Sequence, residues 1–230
     1  MVHHVFFRLI NDNLFLAPID PTGLRILDIG TGTGIWPIHL GDLYPGAELI
    51  VGNDLSPIQP EWTPPNVKFN VDDVELEWIY QNLKPGGWVE FQESANTLLS
   101  EHGSLLPDNP MLTMMNGLIE ACDKIGRTMD PAPSMKQWAL DVGFKNVQQQ
   151  SFKLPIGSWP RDPRLKECGT LMGNNFVEGV EGFTAALFRD VLGWRQEDVT
   201  VLNAGVRAAA KDKMVHPLFN VLVVTGQKPL

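Results

Sequence analysis

Residues Asp28-Ile29-Gly30-Thr31-Gly32-Thr33-Gly34 set three glycines at alternate positions directly after a short apolar run, Arg25 to Ile29. A strand that enters such a turn brings its backbone close to whatever lies beyond it, because glycine has no Cβ to hold it away. Ile35 to Tyr44 then carries apolar side chains at helical spacing until Pro45-Gly46 stops it, and Pro37 falls in the first turn, where a missing N–H costs little. The unit is strand, loop, helix. Glu48 to Gly52 and Val67 to Val71 read as further strands, Glu75 to Leu83 as a short helix closed by Lys84-Pro85-Gly86-Gly87, and Trp88 to Phe91 as the next strand. This alternation predicts an α/β fold: a parallel sheet with helices on both faces.

The second half continues with helix and strand signals. Ser134 to Gln137 has the form of a capping box, and the helix it opens ends at Gly143. Val147 to Leu154 reads as a strand. Val180, Phe183, Leu187, Val191 and Trp194 form one apolar stripe and Val199, Leu202, Val206 and Ala209 another, which predicts two packed helices. Leu218 to Thr225, largely apolar, reads as a final strand inside the sheet. No repeat or low-complexity tract marks a linker, so residues 1–230 are expected to form one domain.

Composition narrows the partners. A formal charge of -9 disfavours nucleic acid and anionic lipid in the absence of a basic run. Cys122 and Cys168 stand far apart without a metal-ligand pattern, which fits a reducing compartment and signals no zinc site. The start lacks a leader-like apolar stretch and no run approaches a membrane span, so a soluble chain in the cytoplasm or nucleus is expected.

Adenosine cofactors bind at strand-to-loop turns of this kind. The dinucleotide fingerprint is not met, because position 35 is Ile where a glycine is required. A tight turn without a ligand remains the alternative from the glycines alone. Asp54 ends the second strand 20 residues after Gly34, where a carboxylate can accept both hydroxyls of a ribose, and Leu55 follows it. Asp72-Asp73 ends the third strand. Singly, each acid is more often a cap or a solvated loop residue. Together at three strand ends, with Asp28, Gly30, Thr31, Gly32 and Gly34, they point to a small-molecule site.

The spacing Asp-x-Gly-x-Gly-x-Gly resembles motif I of class I methyltransferases. Asp54-Leu55-Ser56-Pro57-Ile58-Gln59-Pro60, Trp62 to Val67, and Asn82-Leu83-Lys84-Pro85-Gly86-Gly87-Trp88-Val89-Glu90 are similar to the fungal LaeA-like methyltransferases, as are Leu154 to Pro160 and Glu181-Gly182-Phe183 to Gly193-Trp194. The resemblance runs from about His3 to the C-terminus. It implies a Rossmann-like methyltransferase domain, with a cofactor-binding half over residues 1–93 and acceptor or lid helices and the last two strands over 94–230. It implies S-adenosyl-L-methionine as cofactor, with Asp72 or Asp73 facing the adenine amino group and the Val74 N–H facing the ring. The acceptor implied is a small molecule of fungal secondary metabolism; the family also includes regulators, for which a protein partner is the alternative.

One departure is plain. Only ten residues separate Asp73 from Lys84, where the family places a further strand and helix that need roughly 25 more. One central strand is thus expected to be missing and the final strand to run antiparallel. Trp88 to Phe91 is expected to move into the vacant place beside Arg25 to Ile29, with weak cofactor binding and little turnover as the result.

No catalytic group is assigned. Glu93, after the Trp88 to Phe91 strand, and His102 could act as bases, although exposed loop roles fit each better. Trp62, Trp78 and Trp159 could line an aromatic pocket, with core or lid packing the stronger reading. His3-His4 reads as a helix contact or lid and not as a metal site. No serine-hydrolase elbow, Walker loop or His-Glu-x-x-His is present.

Overall fold

The computed structural model describes residues 1–72 and 76–230, with the backbone alone at Leu76 and Glu77. The chain falls into two compact units. One comprises Asn13–Glu90, Trp138–Val147 and Thr225–Leu230, the other Met1–Asp12, Phe91–Gln137 and Gln148–Val224.

In the first unit β1 (Arg25–Ile29), β2 (Leu49–Asp54) and β3 (Val67–Val71) form a parallel sheet in the order β1-β2-β3. Ile26 lies opposite Ile50 and Ile50 opposite Val67; Asp28 lies opposite Gly52 and Gly52 opposite Phe69. Because side chains alternate along a strand, these residues share one face. Helix α2 (Ile35–Leu43) packs there through fully buried Leu40. A Cβ on its Gly41 would lie 2.6 Å from Val67 Cγ2, so only glycine lets the helix come this close. Helix α3 (Leu76–Asn82) ends under Lys228, whose Nζ donates to the carbonyls of Tyr80 at 2.6 Å and Leu83 at 2.8 Å. These are terminal carbonyls that the helix leaves unpaired, and a cation suits the negative end of its dipole.

A second sheet has the order β4-β6-β5, made by β4 (Trp88–Leu99), β6 (Leu218–Gln227) and β5 (Lys145–Pro155). It is antiparallel, as expected for the final strand. The expected shift of Trp88 to Phe91 does not occur. Among the described residues β1 has β2 as its strand neighbour and no other, whereas β4 pairs with β6. The start of β4 is fixed where Lys228 N–H donates to Gly87 O and Gly86 N–H to Lys228 O, both at 2.9 Å. The physical reason is length: β4 runs for 12 residues and β6 for 10, so their ladder satisfies far more backbone than the 5 residues of β1 offer. The missing central strand therefore leaves β1 as an edge, with Leu27 38% and Ile29 41% exposed.

The second unit is mostly helical: α1 (Val2–Leu9), α4 (Pro110–Lys124), α6 (Pro163–Ala186) and α7 (Gln196–Lys211), with the last two expected from their stripes in part. Helix α4 opens on Asn109, whose side chain accepts the Met111 N–H, with Pro110 at its first position. Asp162 and Pro163 open α6 in the same way. Helix α6 passes into a π-helical turn at Leu187–Val191, where Phe188 is buried edge-on against Trp194 at 5.0 Å. A Cβ on Gly117 would meet the Phe188 ring at 2.5 Å, which is why α4 carries glycine at that contact. Between α6 and α7 the buried Thr184 hydroxyl donates to Asn203 Oδ1 at 3.0 Å. Helix α5 (Met135–Val142) follows a short 3-10 turn at Ala132–Ser134 and ends at Gly143, whose φ is 114°. No helix among the described residues is long and apolar enough to cross a membrane.

Candidate functional site

The carboxyl ends of β1, β2 and β3 meet in the first unit and are tied by their own backbones. Thr31 N–H donates to Asn53 O at 2.9 Å, and Asp72 N–H to Asp54 O at 3.2 Å. Gly30, Gly32 and Gly34 all have positive φ, 71°, 55° and 78°, which a Cβ would oppose. Their surroundings differ. A Cβ on Gly30 or Gly32 would meet nothing within 4 Å, whereas one on Gly34 would meet Phe69 Cζ at 2.3 Å. The first two glycines thus border open space, and the third packs the loop onto the sheet.

Asp54 organises this end. Its Oδ1 accepts the Ser56 N–H at 2.9 Å and its Oδ2 the Gly32 N–H at 2.8 Å. The Ser56 and Gly32 amides hold this half-buried carboxyl below its ordinary range. Each oxygen keeps a lone pair for a further donor, such as a ribose hydroxyl. Gln59, from the same loop, donates to Gly32 O at 2.7 Å and to Ser56 O at 2.8 Å. Asp28 is different in kind. Burial pushes its carboxyl up to about 6, the Asp54 charge adds to the rise, and nearby Thr31 offsets part of it although its hydroxyl makes no hydrogen bond of full geometry.

Two buried polar atoms here, Thr31 Oγ1 and Asn53 Oδ1, have no hydrogen-bond partner among the described residues. Orphans of this kind are uncommon in a packed interior and fit a site that a polar ligand completes. With the open glycines, the Asp54 carboxylate and the acidic field, the residues fit S-adenosylmethionine. Asp28, Gly30, Thr31, Gly32, Gly34 and Asp54 lie together at this end of the sheet. Leu55 is largely exposed beside Asp54 and Asp72 is exposed at the end of β3; Asp73 and Val74 lie outside the described residues.

The other candidates separate. Glu93 is not in a loop: β4 continues to Leu99, and Glu93 is half-buried within it, accepting the Ser94 N–H at 2.8 Å. Burial pushes its carboxyl upward and Asp130 adds to the rise. Trp62 is 93% exposed and Trp78 45%, so neither forms a core. Trp159 stacks on His216 with centroids 4.7 Å apart, and His102 meets the same imidazole edge-on at 6.2 Å. His4 contacts Glu167 of α6 at 2.8 Å and His3 stacks on Phe7. Among the described residues no group of three or more His, Cys, Asp or Glu could hold a metal. Gln59 was missed because a loop residue five positions past the acid carries no periodic signal.

Residues 1–75 match a family described as a methyltransferase domain. The chain is 55% identical to methyltransferase pytC of Aspergillus terreus over 256 positions, covering 100% of this chain and 79% of that protein. It is 29% identical to probable methyltransferase tdiE of Emericella nidulans, covering 99% and 80%, and 30% identical to secondary metabolism regulator LAE1 of Cochliobolus heterostrophus, covering 99% and 85%. Since 256 positions take in a chain of 230 residues, about 26 positions of the pytC comparison have no residue here.

Proposed function

The chain belongs to the fungal LaeA-like family of class I S-adenosylmethionine-dependent methyltransferases, and from that premise we propose that it methylates a small organic acceptor of secondary metabolism. The observation that carries the cofactor half of this reading is the Asp54 carboxylate locked to the Gly32 amide beside glycines that border open space. S-adenosylmethionine supplies an electrophilic methyl group on a sulfonium when bound. Asp54 would hold the ribose hydroxyls, Gly30 and Gly32 would let the backbone approach, and Thr31 Oγ1 would find its missing partner. Asp28 would face the positive end of the cofactor, whose charge would favour the ionised form that burial opposes. No general base is assigned, since aligning an acceptor that is already nucleophilic is itself a large part of such a reaction.

Direct calorimetry with S-adenosylmethionine, followed by a methyl-transfer assay over candidate phenols, acids and amines, tests both halves. Binding without transfer to any of them would favour a second reading, a cofactor-binding protein that acts through a partner. One observation supports that alternative: β1, central in a complete sheet of this type, is an edge here. With β1 left at the sheet edge, weak binding and low turnover are the expected outcome for this chain. Absence of binding would remove both readings.

A further inference from the structure

A short strap ahead of β1, Leu14 to Ala17, is tied on two sides within the first unit. Leu16 N–H and Ala17 N–H both donate to Glu90 Oε2, at 2.7 and 2.6 Å. At its other end Leu14 O accepts the Trp36 Nε1–H at 3.0 Å, and the Phe15 ring lies 6.1 Å from that of Tyr44. Leu14 and Ala17 are buried. Trp36 is the second residue of α2, two positions after Gly34.

The start of α2 needs such a tether. Its N-cap is Gly34 in a left-handed conformation, no side chain caps the helix, and its first turn contains no acid. The devices that ordinarily fix a helix N-terminus are therefore missing. The strap replaces them from outside, through the Trp36 indole. Charge-assisted bonds are the strong ones, and two neighbouring amides converging on one carboxylate oxygen set the strap firmly.

We propose that Glu90 is a positioning residue for the cofactor loop: through the strap it holds the first turn of α2, and so Gly34 and Thr31, in the arrangement that accepts S-adenosylmethionine. The inference rests on the cofactor reading above. It assigns Glu90 no contact with the cofactor and no part in the transfer.

The test uses Glu90→Gln, which keeps shape and an acceptor oxygen but removes the charge, Trp36→Phe, which removes the strap's bond from the helix side, and the double variant. Two measurements are made on the full chain: amide hydrogen exchange over 31–36 without ligand, and S-adenosylmethionine affinity well below each unfolding midpoint. Each single variant should speed exchange in that segment and weaken binding by about three- to tenfold. The double variant should bind no more weakly than the worse single one, because both break the same tether. Unchanged exchange at 31–36 would overturn the positioning role whatever the cofactor does, and so would additive losses of affinity. Faster exchange in the variants, together with a wild-type chain that binds no S-adenosylmethionine, would sink the cofactor reading and leave Glu90 a structural anchor only. Should Glu90→Gln fail to fold, Trp36→Phe carries the same test, and normal exchange and affinity in it would overturn the proposal.

Discussion

The Gly32 amide donates to Asp54 Oδ2 at 2.8 Å, so the loop after β1 takes its shape from the side chain that ends β2. Two residues 22 positions apart are thereby joined at the proposed site. A carboxylate already holding two backbone amides has little freedom left to lose, which lowers the entropic cost of binding against it.

Asp54→Ala should weaken S-adenosylmethionine binding about ten- to a hundredfold, through lost ribose contacts and a loosened Gly32. Its unfolding midpoint should stay close to that of the wild type, because the side chain lies at a half-exposed strand end. Calorimetry beside thermal unfolding checks this; equal affinity in a folded variant removes Asp54 from the site.

Gly32→Val and Gly34→Ala should fail differently. At Gly32 the space is open, so valine mainly resists the φ of 55° and blocks the ligand, and binding is lost from a chain that still folds. At Gly34 even a methyl group would collide with Phe69 at 2.3 Å, so alanine should cost about 2–4 kcal/mol of stability from overpacking and left-handed strain combined. A stable Gly34→Ala chain, or a Gly32→Val chain that binds normally, would contradict the geometry.

Asp28 gives the pH dependence. Its folded pKa of about 6 lies above the ordinary 3.8, so between roughly pH 4 and 6 the folded chain keeps a proton that the unfolded chain has released. Stability attributable to this group falls as pH rises through that window, by up to about 3 kcal/mol, and stays lost above it. Asp28→Asn should therefore unfold at a higher temperature than wild type at pH 7 and at a similar one below pH 4. The cationic cofactor favours the ionised form, so wild-type affinity should rise with pH through 6, and the variant should lose that rise. Parallel stability profiles for the two proteins would show that burial does not perturb Asp28.

Leu27→Lys addresses the edge. An unpaired strand with exposed apolar side chains is a template for association, and a lysine there is a common safeguard. Light scattering at increasing concentration should fall relative to wild type, with the unfolding midpoint little changed. Equal scattering would mean that the β1 edge does not drive association.

The strand-loop-helix from Arg25 to Leu43, the acid at Asp54 and the strand Val67–Val71 were legible from residue order, because glycine φ requirements, turn chemistry and short-range periodicity act over a few residues. The shortage before Lys84 was legible as well, by simple counting. Helix α4 was not read, although Asn109-Pro110 is a start signal, since its Met-rich run lacked a clear polar face. What the chain order could not decide was pairing at a distance. Whether Trp88 joins β1 or β6 depends on which ladder satisfies more backbone, and that comparison requires the lengths of β4 and β6 together. The partners of Gln59, Trp36 and Glu90 likewise exist only once the folded backbone brings Gly32, Leu14 and the Leu16 and Ala17 amides to them. Local stereochemistry determined the cofactor loop, and long-range hydrogen bonding decided what holds it in place.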